Sequence, residues 1–298
     1  MSSKFKGTGV AIVTPFKKDF SVDLDALSKL INHLIDGKVE YLVVLGTTGE
    51  SVTLSKKEKE QVTKQVVKTN AQRIPLVLGV GGNNTAEIVN ELKTTDFTGI
   101  DAILSVSPSY SKPSQEGIYQ HFKALAEVSP LPIILYNVPS RTGSNMSAET
   151  TLRLANDFQN IVAIKEASGN IEQCMRIASA KPKNFLLISG DDNLAIPITS
   201  IGGKGVISVL ANAFPYETSE AIRAALKHDF EKASGYYLPL MEITDAIFAD
   251  GNPAGIKAVL KMMNITQDTV RLPLVKINNT LEQKLQLLVD KRRMVSAD

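Results

Sequence analysis

The chain has 298 residues, 43% of them hydrophobic and 21% charged, an ordinary globular composition that fits one large α/β unit or two medium domains. A formal net charge of +2, no tryptophan and no basic run interleaved with aromatics argue against a nucleic-acid or acidic-membrane partner. Cys174 is the only cysteine, so no intrachain disulfide is expected, which suits a reducing cytoplasm.

In chain order, the first 16 residues, MSSKFKGTGVAIVTPF, lack the long apolar core and small-residue cleavage site of a signal peptide. They instead contain the apolar run GVAIVTP near residue 10. A helix is predicted over 25–36, where Leu27, Leu30, Ile31, Leu34 and Ile35 recur at helical spacing and Gly37 follows as a stop. The run YLVVLG starts at 41, and Ser55-Lys56-Lys57-Glu58 after it reads as a capping box. PLVLGVG at 75 precedes Thr85, expected to N-cap AEIVNELK; DAILSVSP at 101 precedes Ser114, expected to N-cap QEGIYQHFKALAEV. LPIILYNVP at 131 leads to Ser147 as the N-cap of AETTLRLAND. NIVAIKEAS at 160 leads to a helix over 170–180, NFLLISGDD at 184 to one over 194–201, and KGVISVLAN at 204 closes the series. Beyond about residue 213 only helical patterns follow. No window approaches 18 uninterrupted apolar residues, so no transmembrane helix is expected, and the protein reads as soluble and cytoplasmic.

Short runs that are apolar on both faces and rich in Val and Ile read as parallel strands buried on both sides. Eight of them alternating with helices make an α/β fold, a (β/α)8 TIM barrel with a C-terminal helical extension. The expected units are the barrel, 1–227, carrying the active site, and a helical domain, 228–298. A doubly wound sheet is disfavoured: GVGGNN at 79–84 lacks GxGxxG spacing and follows the third strand.

In such a barrel the active site lies where strands run into their helices. Those ends carry Thr14, then Gly46-Thr47-Thr48-Gly49-Glu50, Gly81, Asn83, Ser107 and Tyr110. They continue with Tyr136, Asn137, Arg141, Lys165, Glu166, Ser168, Gly190, Asp191, Asp192, Ser208 and Asn212. The opposite ends carry little beyond apolar residues and turn formers, and this asymmetry points to a single functional mouth.

Lys165 closes the apolar run NIVAIK. The bland reading is a strand-end lysine that snorkels to water. Against it, alternation puts Ile161, Ala163 and Lys165 on one face, and small Ala163 leaves room for a ligand. Desolvation favours the neutral form of an amine, and a neutral amine attacks a carbonyl to form a Schiff base. Tyr136 ends a similar run and is either a core ring or the phenol that shuttles protons for that chemistry, with Thr47 and Thr48 as relay candidates. The GTTGE turn is either a tight glycine connection or a small-carboxylate site built from hydroxyls and backbone N–H groups. His33, His121 and His228 fall in helical segments without metal-ligand spacing, so no metal is expected. Asp191-Asp192 read as turn or capping residues, and Cys174 as a small packed side chain.

GTTGES at 46–51, SPSYSKPSQEGIYQHF at 107–122, YNVPSRTG at 136–143, IKEASG at 164–169, SGDD at 189–192 and GVISV at 205–209 occur in this order. Over essentially the whole chain this set resembles the 4-hydroxy-tetrahydrodipicolinate (dihydrodipicolinate) synthases, Schiff-base aldolases that use pyruvate and open the diaminopimelate and lysine pathway. The resemblance implies that Lys165 forms the Schiff base with pyruvate and Tyr136 carries its protons. Thr48 and Tyr110 complete the relay, Tyr110 reaching in from a neighbouring subunit. Thr47 and Thr48 hold the pyruvate carboxylate, Gly190 and Ile207 line the pocket, and Arg141 binds the carboxylate of L-aspartate 4-semialdehyde. It further implies no cofactor and a homotetramer built as a dimer of dimers. Lysine-inhibited members often carry histidines and a second tyrosine where this chain has Lys56, Lys59 and Ser109, while Asn83 and Glu87 are kept. Added cations oppose a cationic ligand, so lysine inhibition is expected to be weak or absent. N-acetylneuraminate lyases and sugar-acid aldolases share the lysine, the tyrosine and the GxxGE turn but generally lack PSRTG. They are the alternative enzymes, and a catalytically silent barrel is the alternative outside enzymes.

Overall fold

The computed structural model describes residues 2–295. Its strands are β1 (Gly7–Ala11), β2 (Tyr41–Val44), β3 (Leu76–Gly79), β4 (Ala102–Val106), β5 (Ile133–Asn137), β6 (Ile161–Glu166), β7 (Leu186–Ser189) and β8 (Gly205–Ser208). They close in sequence order into an eight-stranded parallel barrel, sealed where Gly7 to Val10 of β1 pair with Gly205 to Ser208 of β8. Each strand overlaps one of the expected apolar runs, β1 beginning two residues before its run and ending at Ala11.

The crossover helices are α1 (Leu24–Asp36), α2 (Lys56–Asn70), α3 (Thr85–Thr94), α4 (Gln115–Ala126), a single turn α5 (Pro139–Thr142), α6 (Ala148–Asp157), α7 (Ile171–Ala180), α8 (Ala195–Ser200) and α9 (Pro215–Leu226). The chain continues as α10 (Phe230–Tyr237), α11 (Met241–Phe248), α12 (Ala254–Met262) and α13 (Asn279–Val295). Among the described residues no helix is long and apolar enough to cross a membrane. Of the two expected units, Met1 and residues 296–298 lie outside the described residues.

Strand alternation sorts the apolar side chains into two layers. Val10, Leu42, Val44, Leu76 and Leu187 pack with the helices, whereas Ala11, Val43, Val77, Leu104 and Ile188 join a cluster of strand residues with Phe5, Val138 and Ala167, which is the barrel interior. Phe5, in a 3-10 turn over Ser2–Phe5 that precedes β1, meets Tyr41 edge-on with ring centroids 5.8 Å apart. Gly9 makes room for that ring, since a Cβ there would lie 2.2 Å from it.

Several local expectations need correction. β6 is bulged against β5: Ile133 pairs with Ile161 but Ile134 pairs with Ala163. The extra residue turns the strand over, so Ile161 packs in the helix layer while Val162 and Ala163 enter the interior. Ile161 therefore does not share a face with Ala163 and Lys165. Thr85 is the first residue of α3, not its cap; Asn84 is the cap, accepting from the N–H groups of Ala86 and Glu87. Thr85 Oγ1 instead sits 2.8 Å from His121 Nδ1. His228 lies in the turn between α9 and α10 with a left-handed backbone, not in a helix. Ser55, Ser114 and Ser147 cap α2, α4 and α6 as expected, Ser55 with the reciprocal Glu58 bond of a capping box.

Candidate active site

Lys165 is the penultimate residue of β6, and in register beside it stands Tyr136, the penultimate residue of β5. Lys165 is 6% exposed, and its Nζ lies 4.3 Å from the centre of the Tyr136 ring, itself buried. The cation-facing ring is an attractive contact as long as the amine is protonated. On the other side β7 pairs Ile188 with Lys165 and then turns at Gly190. A Cβ at Gly190 would stand 2.6 Å from Ala167 Cβ and 3.1 Å from Lys165 Cε, so glycine keeps the space beside the amine open. Ile207 of β8 is fully buried in the barrel interior.

After β2 the chain folds into a 3-10 turn over Thr47–Gly49, with Thr47 exposed and Thr48 buried. Thr14 Oγ1 donates to Gly49 O at 2.7 Å. Thr48 Oγ1 accepts from Asn252 Nδ2 at 2.9 Å. Glu50, buried and left-handed at φ 51°, takes Lys257 Nζ at 2.5 Å and the Arg271 N–H at 2.9 Å. Lys257 is wholly buried; burial pushes its ammonium down to about 8 against the pull of the Glu50 carboxylate. Asn252, Lys257 and Arg271 come from α12 and the loops on either side of it, and sequence reasoning missed all three. Lys257 did carry a signal, because in AGIKAVL it interrupts an apolar stretch just as Lys165 does.

Glu166, next to Lys165, points the other way and is also buried. It accepts from Asn137 Nδ2, the Ser168 N–H and Gln173 Nε2, and burial raises its carboxyl above the usual range against these bonds. Asp192 accepts from Ser208 Oγ and the N–H groups of Val209 and Leu210, while Asp191 accepts from the Gly169 N–H. The aspartates thus brace the loops after β6, β7 and β8, in keeping with the expected turn role. Cys174 is packed and buried, and its thiol is pushed up to about 12 by burial. Among the described residues no group of three or more His, Cys, Asp or Glu could hold a metal ion.

Arg141 is exposed on α5, the turn that follows β5. Tyr110 is 91% exposed, with φ 64°, and its N–H donates to Thr142 O at 3.0 Å. The single chain therefore brings Lys165 and Tyr136 together and sets Thr48 in the turn after β2, while Tyr110 is exposed. Asn83 Oδ1 is occupied by the Ser109 N–H at 2.8 Å and Ser109 Oγ at 3.2 Å.

A family model described as the Dihydrodipicolinate synthetase family matches residues 4–292. The chain is similar to the 4-hydroxy-tetrahydrodipicolinate synthase of Flavobacterium psychrophilum, 56% identical over 283 residues, 95% of this chain and 97% of that one. It is similar to the enzyme of that name from Parabacteroides distasonis, 52% identical over 281 residues, 94% of this chain and 95% of that one. Among solved structures, the dihydrodipicolinate synthase of Aquifex aeolicus matches with a TM-score of 0.93 and 40% identity, over 97% of this chain and 98% of that one.

Proposed function

The chain belongs to the Dihydrodipicolinate synthetase family, and we propose that Lys165, Tyr136 and the Thr47-Thr48 turn carry out that family's reaction. It is an enzyme of the lyase type, a 4-hydroxy-tetrahydrodipicolinate synthase activity that condenses pyruvate with L-aspartate 4-semialdehyde in diaminopimelate and lysine biosynthesis. The observation that carries the residue assignments is an amine buried in the barrel mouth with a phenol ring 4.3 Å away.

The Lys165 amine adds to the C2 carbonyl of pyruvate, and loss of water leaves the imine. Removal of a C3 proton gives the enamine, with the imine nitrogen as electron sink, so no cofactor is called on. C3 then attacks the aldehyde carbon, whose oxygen takes a proton. The substrate amine attacks C2, closes the ring and expels the Lys165 amine. Each step moves a proton at the nitrogen, the C2 oxygen, C3 or the aldehyde oxygen, and Tyr136 is assigned to carry it, passing it through Thr48. Thr47 and Thr48 receive the pyruvate carboxylate, Gly190 and Ile207 bound the pocket, and Arg141 pairs with the carboxylate of the aldehyde substrate, to which its planar fork is matched.

Tyr110 is read as the third relay hydroxyl, given to the partner's site in a dimer and built into a tetramer of two such dimers. Its exposed ring supports this reading. The barrel, 1–227, is the catalytic unit and 228–298 the helical unit bracing its second loop; the single cysteine supports a cytoplasmic location.

Incubation with pyruvate and borohydride tests the assignment. A reduced pyruvyl adduct on the Lys165 peptide is expected, and absence of any adduct would reject Schiff-base chemistry. Turnover with aspartate semialdehyde, followed through a coupled reductase, separates this activity from cleavage of a sugar acid.

A further inference from the structure

We infer that Asn252, in the loop between α11 and α12, is a positioning residue that keeps the Thr48 hydroxyl proton available to the relay. The inference rests on the reading of Thr48 as a relay group. Asn252 Nδ2 donates to Thr48 Oγ1 across 2.9 Å, and both side chains are buried. A threonine hydroxyl has one proton to give and two lone pairs to offer. An amide N–H occupies one lone pair and cannot take the proton. What is left is one acceptor position and one O–H, the one-in, one-out arrangement that a relay hydroxyl needs. Donation from the amide also polarises the O–H and makes it a better donor.

Two other observations bear on this role. The other end of the amide, Oδ1, is buried and has no hydrogen-bond partner among the described residues. A stranded buried acceptor is costly, and an apolar side chain of similar size would avoid that cost. Packing alone therefore does not account for an asparagine here, whereas the bond from Nδ2 does. In addition, the turn is already anchored without Asn252. Lys257 and the Arg271 N–H hold Glu50, and Thr14 holds the Gly49 carbonyl. Asn252 reaches past this scaffold to a side-chain hydroxyl, not to the backbone.

Asn252→Asp tests the idea, because it keeps the shape and replaces the donor by an acceptor. Thr48 then gives its proton to the carboxylate and leaves the relay. Three quantities are measured for N252D, T48V and the double variant: kcat, the rate at which pyruvate methyl protons exchange into D2O by proton NMR, and borohydride trapping. The exchange reports imine-to-enamine proton transfer without the second substrate. N252D is expected to lower kcat and exchange about 10²-fold, with trapping at equilibrium close to the unsubstituted protein. The double variant is expected to be no slower than T48V, because one residue acts through the other. Undiminished exchange in N252D, or losses that multiply in the double variant, would overturn the inference. Full turnover in T48V would overturn the relay reading and this inference with it; a slow T48V beside a fast N252D would overturn the inference alone. Should N252D fail to fold, N252A removes the donor and is held to the same non-additivity.

Discussion

Two lysines break apolar runs in this chain, and burial resolves them in opposite ways. Lys257 lies 2.5 Å from a carboxylate and 4.2 Å from the centre of the Phe16 ring, whereas Lys165 faces the Tyr136 ring at 4.3 Å and stands beside Gly190. The carboxylate fixes Lys257 within the structure, and the Lys165 amine is the one proposed to meet a ligand. Arg141 differs from both in being exposed, and the role proposed for it is to pair with a substrate carboxylate. Arg141→Ala is therefore expected to raise KM for aspartate semialdehyde about 10- to 100-fold, the worth of a charge-assisted bidentate contact. Its KM for pyruvate and its borohydride trapping should change little. Steady-state kinetics with each substrate varied in turn check this, and an equal rise in both KM values would place Arg141 in general pocket structure.

At the scale of elements, α12 and the following loop reach across to the turn after β2, so a helix outside the barrel sets part of the mouth. Lys257→Met would leave Glu50 buried without its cation. Removing one member of a buried pair costs about 3–5 kcal/mol, expected as a lower urea midpoint, and pairing it with Glu50→Gln should recover much of that loss. A second element-level prediction concerns α3 and α4, joined by Thr85 and His121. Burial holds His121 down to about 4, below its ordinary value of 6.5. Between those values the unfolded chain binds a proton that the folded chain refuses, so stability falls as pH drops from 6.5 towards 4 and this contribution levels off below. The linkage amounts to about 3 kcal/mol at most. Thermal melts of His121→Gln should show a shallower loss across that window than the unsubstituted protein; identical slopes would mean that His121 is not the titrating group.

For the whole molecule, the role proposed for the exposed Tyr110 ring ties assembly to the chemistry. If each chain lends Tyr110 to its partner, K165A and Y110F variants should rescue one another. In a mixed dimer one site regains both an intact Lys165 and an intact Tyr110. Activity should rise after the two are mixed and allowed to exchange subunits, and no rise above the sum of the separate variants would put Tyr110 to work in its own chain or not at all. Sedimentation of the same mixtures reports whether dimers and tetramers are present.

Much of this molecule was legible in one dimension because strand burial and helix periodicity are local properties. Eight doubly apolar runs, their caps and the polar residues at their C-terminal ends sufficed for the barrel and for a mouth holding Lys165, Tyr136 and Thr48. Alternation failed only at β6, since a bulge is set by the neighbouring strand and not by the residues that form it; that is why Ile161 was placed on the wrong face. Thr85 was mistaken for a cap because Asn84, one residue earlier, competes for the same N–H groups. The partners Asn252, Lys257 and Arg271 could not be assigned to the Thr48 turn from sequence, lying some 200 residues away. Pairings at that separation depend on how the last helices pack on the barrel, and only the closed tertiary structure decides which buried carboxylate meets which buried lysine.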